Sequence, residues 1–180
     1  MKLTTLLLTA ISAVAFTSCG EKKTTTTDSP ATNDGTLSSV VLKAAPADAK
    51  PIFEIRKSAK VGDEVVISGK VIGSKDPFVE GRAIMTIGDP NKITSCDMSG
   101  DDHCPTPWDV CCDDPDVIKA SILTVQVVDK DGKLLKEGLK GLGGLKELSH
   151  LVIKGTVAEG SNTNNMLINA TGIFVKPQAN

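Results

Sequence analysis

Residues 101–116, DDHCPTPWDVCCDDPD, hold three of the chain's five cysteines, one of its two histidines, its single tryptophan and six aspartates. Thiols, an imidazole and carboxylates in so short a run admit several chemistries. Cys96, Cys104, Cys111 and Cys112 can pair as disulfides. With His103, the same four sulfurs make a donor set suited to zinc or copper. Trp108, between Pro105, Pro107 and the paired cysteines, either anchors a partner or fills the small core of its own loop.

Spacing separates these chemistries. No CxxC occurs, and His103 and Cys104 are sequence neighbours whose side chains diverge on extended backbone. The aspartates at 97, 101, 102, 109, 113, 114 and 116 do not follow the order of an EF-hand loop. Adjacent Cα atoms stand ~3.8 Å apart, below the usual ~4.4 Å floor for a bridge, which disfavours Cys111–Cys112. Two pairings remain, each linking Cys96 and Cys104 to Cys111 and Cys112. Closing a loop of ~15 residues contributes about 3 kcal/mol in the chain-entropy account. A disulfide-stapled insert is therefore the expectation, and a zinc or copper site its alternative. Catalysis is not expected: His150 has only Ser149 beside it, and two histidines form no evident dyad.

The compartment bears on the thiols. The chain opens MKLTTLLLTAISAVAFTSCG, with Lys2 ahead of an apolar run from Leu3 to Phe16 and small residues before Cys19. That pattern predicts a secretory signal peptide over 1–18. The run is too short for a membrane-spanning helix, which needs roughly 20 apolar residues. Phe16-Thr17-Ser18-Cys19 resembles the lipobox of bacterial lipoproteins, with Phe where Leu is usual. The resemblance implies that Cys19 is lipidated and heads the mature chain, anchoring it in a membrane at about 0.8 kcal/mol per buried CH₂. Gly20 resembles lipoproteins sent on to an outer membrane, facing the periplasm or the exterior. A bacterial envelope is oxidising, which favours disulfides. Residues 19–50 are rich in Thr, Ser, Ala, Asp and Pro and hold no aromatic, so a flexible tether is expected there.

The remaining residues, 51–180, make one domain. Val65, Ile67, Gly69 and Val71 alternate with Val66, Ser68 and Lys70, a period-two strand signal. Further strands are read at 82–88, at 120–129 with Leu123, Val125 and Val127 on one face, at 151–159 and at 166–175. The segment KLLKEGLKGLGGLKELS, between the third and fourth strands, suits at most a turn or two of helix near Leu145–Leu148. Its glycines cost about 1 kcal/mol each inside a helix. Phe174 is assigned to the core. VISGKV at 66–71 echoes VIKGTV at 152–157, each with a mid-strand glycine that permits sharp coiling.

Five strands with an irregular connection between the third and fourth resemble the OB-fold, the oligonucleotide/oligosaccharide-binding barrel. The expected architecture is all-β: a five-stranded OB-like barrel with an acidic, cysteine-rich insert (89–116) between strands two and three. The chain resembles secreted bacterial lipoproteins that carry an OB-type domain with a Pro-Trp/Cys-Cys insert. An immunoglobulin-like sandwich, which wants about seven strands, is the alternative.

Such barrels hold single-stranded nucleic acid with a basic groove and aromatic platforms. Here the insert carries eight aspartates against Lys92 alone, a net of −7, and the rest of 51–180 has 14 Lys/Arg against 10 Asp/Glu, a net of +4. Nucleic acid is therefore disfavoured, though not by the barrel itself. Phe78, Trp108, Lys70, Lys75 and Arg82 are the candidate ligand contacts. The expected function is non-catalytic binding of an envelope protein or glycan by a membrane-tethered module. Metal-binding or redox use of the insert, and single-stranded nucleic-acid or oligosaccharide binding, are the alternatives.

Overall fold

The computed structural model describes residues 36–98 and 104–178. Six strands form one sheet: β1 (Lys50–Pro51), β2 (Glu64–Lys70), β3 (Ile84–Gly88), β4 (Ile122–Gln126), β5 (His150–Val157) and β6 (Leu167–Val175). The order is β1-β2-β3-β4-β6-β5, and β2 also pairs with β5, which closes β2 to β6 into a five-stranded barrel. The β4–β6 pair is parallel and the other barrel pairs are antiparallel. This is the OB-like barrel expected, with the two-residue β1 laid parallel against β2.

Aliphatic side chains fill it. Val65, Ile67, Met85, Ile87, Leu123, Val125, Ile153 and Ile168 are buried in one cluster, so the period-two pattern of the strands is the inside–outside pattern of the barrel. Phe174 departs from its expected place: Ile173 turns inward and Phe174 is only half-buried, because the two alternate on β6. Gly155 sits where the β5–β6 register shifts, and a Cβ there would meet the Asn169 carbonyl oxygen at 2.5 Å. Its missing side chain lets β6 bend across β5.

Residues 36–50 are not a loose tether. Leu37 and Val40 belong to the main core, and Leu42 N donates to Ile173 O at 2.9 Å. The domain thus reaches back to Leu37, earlier than the boundary at 51 read from composition. The signal peptide expected over 1–18 and the expected lipidation at Cys19 fall outside the described residues.

Two short helices escaped the sequence reading. Helix α1 (Ile52–Ser58) buries Ile52 and Ile55, one turn apart. Its N-terminal cap comes from far away: Asp89, fully buried at the end of β3, accepts from Phe53 N at 3.1 Å. Helix α2 (Pro115–Ser121) starts in the sequence-local way, with Asp114 accepting from Asp116 N and Val117 N and Pro115 in the first turn. At seven residues each, both are too short to show helical periodicity. The helix expected at 145–148 is instead a single 3-10 turn at Leu142–Gly144. Gly141, Gly143 and Gly144 all have positive φ there, which stops an α-helix from propagating.

The insert is built onto the barrel's outside. Ile72, Ile93 and Val110 form a second buried cluster against which Trp108, Ile118, Ile122 and Leu148 pack.

Candidate ligand-binding cleft

Three segments distant in sequence meet around a cleft of about 400 Å³. The first is the β2–β3 loop, which supplies Lys75 to Gly81; the second is Trp108 of the insert; the third is the β4–β5 connection, with Leu139, Lys140 and Glu147. The loop is no loose excursion. Thr86 N donates to Pro77 O at 2.7 Å and Val79 N to Ile84 O at 3.1 Å, so residues 77–79 fold back along β3. Phe78 consequently packs partly on the main core while its remaining surface lines the cleft.

Trp108 is positioned from both sides. Its Nε1 donates to Lys75 O at 2.8 Å, and its own carbonyl accepts from Gly73 N at 3.3 Å. One part of the ring packs on the second cluster and another lines the cleft. The ring thus helps fill the core of its own loop and also gives part of its surface to the cleft.

Charge on the rim is mixed. Lys75, exposed, and Asp76 and Glu80 come from the loop; Lys140 donates to Glu147 Oε1 at 2.6 Å on the opposite wall. Burial pushes the Glu147 carboxyl up, but the Lys140 hydrogen bond, a backbone hydrogen bond and the ammonium charge outweigh it, so its pKa is lowered. Lys140 and Glu147 were missed by sequence reasoning. Their only signal was an opposite-charge pair in a glycine-interrupted leucine segment, a pattern that reads as solvated surface.

The sequence-nominated contacts divide. Phe78, Lys75 and Trp108 come together at the cleft, whereas Lys70 and Arg82 do not line it. Arg82 is exposed just past the lining residue Gly81. Lys70, expected on a groove, is 5% exposed. Its Nζ donates to Ser95 Oγ at 3.0 Å and pairs with Asp97 Oδ2 at 3.3 Å, and Ser95 Oγ also bonds Asp97 Oδ1. The stem of the insert thereby rests on a buried ammonium of β2. Position 70 follows Gly69 at the end of the strand, where the chain leaves the barrel wall and the insert covers it.

The thiols lie beside that network. Cys96 is buried; Cys96 N donates to Asp109 O at 2.9 Å and Asp97 N to Pro107 O at 2.8 Å, so the two arms of the insert run side by side. Burial, then the influence of the neighbouring Cys104 and Cys111 thiols, pushes the Cys96 pKa up to about 12. Cys104, half-buried, has Sγ 3.4 Å from Thr106 O. Hydrogen bonding to the Thr106 backbone, then to Cys96 and the Thr106 hydroxyl, lowers its pKa. Cys111 and Cys112 are exposed. No two of the four sulfurs lie at disulfide distance. Among the described residues no group of three or more His, Cys, Asp or Glu is placed to hold a metal ion. His103, part of the zinc or copper alternative, lies outside the described residues.

A second aromatic stands apart from the cleft. Lys57 Nζ is 4.0 Å and Lys92 Nζ 4.7 Å from the centroid of the Phe53 ring. Two ammoniums over one ring satisfy its π-face with cations already in the chain.

No protein-family model, no curated protein and no solved structure matches this chain.

Proposed function

We propose that this chain is a non-catalytic, lipid-anchored protein of the bacterial envelope whose OB-like barrel binds a glycan in the cleft beside Trp108. The convergence of Phe78, Lys75 and Trp108 carries the reading: residues up to 33 positions apart line one cavity, with Trp108 hydrogen-bonded in place. A polyol with apolar C–H faces and hydroxyl edges matches aromatic walls interleaved with ammonium and carboxylate groups. A polyanion does not. Lys75 and Lys140 face Asp76, Glu80 and Glu147, and Lys140 is already bonded to Glu147. Repulsion from three carboxylates offsets the phosphate attraction on which nucleic-acid affinity rests.

Absence of catalysis is supported by the burial of the Lys70–Ser95 pair. Ser95 is 1% exposed and its hydroxyl is engaged by Lys70 and Asp97, so no substrate reaches it. Anchoring through Cys19 places the module in an oxidising compartment, where Cys96 and Cys104 staple the insert to Cys111 and Cys112 and hold Trp108 at the cleft. The two arms of the insert that carry these cysteines run side by side, with Cys96 N donating to Asp109 O at 2.9 Å, which supports that staple. Four reactive thiols in freshly isolated, denatured protein would remove it, and metal analysis of the same sample tests for zinc or copper.

Trp108 is the only tryptophan, so its fluorescence reports on the cleft alone. Titration of the full chain with soluble N-acetylated oligosaccharides is expected to give a saturable change, lost in Phe78→Ala, which keeps the Trp108 reporter, if the cleft is the site. Silence toward every oligosaccharide, with salt-sensitive binding of single-stranded DNA, would overturn the glycan reading in favour of nucleic acid.

A further inference from the structure

Away from the Trp108 cleft, two ammoniums converge on one aromatic ring. Phe53 lies in the first turn of α1, and Lys57 Nζ and Lys92 Nζ stand 4.0 and 4.7 Å from its ring centroid. We propose that Lys57 and Lys92 form a phosphate-binding site that takes the terminal phosphoryl group of an organic phosphomonoester. The site shares no lining residue with the Trp108 cleft, so it stands independently of the glycan reading.

A buried carboxylate sets the two lysines side by side. Asp89 Oδ2 accepts from Phe53 N at 3.1 Å, while its Oδ1 accepts from Asn91 N at 3.0 Å and Asn91 Nδ2 at 3.2 Å. The Asp89 carbonyl accepts from Lys92 N at 3.0 Å and Ile93 N at 3.1 Å. The start of α1 and the turn after β3 are thus fixed on one residue, which brings Lys92 to the Phe53 ring. Lys57 reaches the same ring from four residues further along α1, the spacing of neighbours on a helix surface.

The same bonds keep Asp89 from neutralising these cations, since its oxygens are taken up by backbone and amide N–H groups. Among the described residues no carboxylate lies within ion-pair distance of either ammonium, and Glu54, exposed on the rim, is bonded to neither. Two like charges therefore share one ring with no anion between them, an arrangement that an anion relieves. A phosphomonoester brings about −1.5 to −2 charges at pH 7 and three acceptor oxygens. Lysine meets phosphate as a point charge, and oxygens of one phosphoryl group can accept from both ammoniums at ~2.7–2.9 Å. Leaving the ring costs each ammonium little, because a cation–π contact at an exposed site is weak. The freed face of Phe53 then meets the organic part of the ligand. The cleft, about 330 Å³ and lined also by Pro51 and Asn91, has room for that part beside the phosphoryl group.

The test is proton–nitrogen NMR of the full chain, titrated at constant ionic strength with inorganic phosphate, phenyl phosphate and the diester glycerophosphoglycerol. Saturable shifts are expected at the amides of Phe53, Asn91 and Lys92 with inorganic phosphate, and at lower concentration with phenyl phosphate. Lys57→Gln and Lys92→Gln should each weaken binding about tenfold, the loss of one charge-assisted hydrogen bond. Lys57→Arg/Lys92→Arg should retain binding, and Glu54→Gln should tighten it. Positions 54, 57 and 92 are exposed, and unchanged amide shifts elsewhere confirm that the variants fold. Absence of saturable shifts in the wild type, or equal shifts in Lys57→Gln/Lys92→Gln, would overturn the proposal. Equal affinity for glycerophosphoglycerol would overturn the monoester assignment in favour of a lipid-type diester. A matching change in Trp108 fluorescence would place the anion in the other cleft and overturn the site, whereas failure of the glycan titration leaves it untouched.

Discussion

Trp108 Nε1 and the carbonyl oxygen of Lys75 are joined at 2.8 Å, a bond that ties the cysteine-rich insert to the β2–β3 loop across 33 residues. Trp108→Phe keeps a smaller ring at the cleft and removes the donor. The expected loss is about 1 kcal/mol, the usual net worth of such a bond. Trp108→Ala also removes packing on Ile72, Ile93 and Val110. Its cost should be about 2–3 kcal/mol, toward the low end of the range for buried aromatic truncation because the ring is only half-buried. Urea unfolding of both variants, followed by circular dichroism, measures the difference. Equal losses would mean that the ring contributes nothing beyond its N–H.

Lys70 holds the insert's stem. Lys70→Met should cost about 1–3 kcal/mol, because Ser95 and Asp97 lose a charged donor. The value falls below the ~3–5 kcal/mol of a wholly buried pair because the Asp97 side chain remains 31% exposed and water reaches it. Faster cleavage within the insert under limited proteolysis should accompany the loss, and Lys70→Met/Asp97→Asn should recover part of it. Additive losses in that double variant would show that the ion pair is not the latch.

His150 gives stability a pH dependence. Burial lowers its pKa, Lys70 and Lys176 lower it further by charge, and Asp97 opposes them. In the unfolded chain the imidazole titrates near 6.5. Between that value and the lower folded one, the unfolded state binds more protons, so stability rises with pH across this window. The contribution is complete above about 6.5 and is lost as pH falls toward the folded value. Denaturation midpoints from pH 5 to 8 should show this slope, and His150→Asn should flatten it. An unchanged slope in the variant would assign it to other groups.

Gly155 and Gly172 both lie on the β5–β6 pair, yet they should respond differently to alanine. At Gly155 the new Cβ meets backbone, 2.5 Å from the Asn169 carbonyl oxygen. At Gly172 it meets the Leu42 side chain, 2.7 Å from Cδ1, which can rotate away. Gly155→Ala should therefore cost on the order of 1–3 kcal/mol by forcing the bulge apart, and Gly172→Ala distinctly less. Thermal unfolding ranks the two, and the reverse order would show that the Asn169 backbone yields more readily than Leu42.

The amino-acid pattern alone determined the five barrel strands, because alternation of β-branched and polar residues is a local property that a closed sheet obeys at every position. It also located the insert, through prolines, aspartates and cysteines that no strand accommodates, and it nominated Phe78, Lys75 and Trp108. Local pattern could not show that Leu37 and Val40 join the core, since two apolar residues in a polar stretch acquire partners only when β6 runs beside them. The cap that Asp89 gives α1 is likewise a contact across 36 residues with no mark in the sequence around Pro51. Only the tertiary structure decided that Lys70 faces Ser95 and Asp97, that Lys140 and Glu147 complete the cleft, and that Cys96 is buried beside Asp109. Each of these depends on where a long connection lands on the barrel, and that is set by packing between segments whose sequences carry no period of their own.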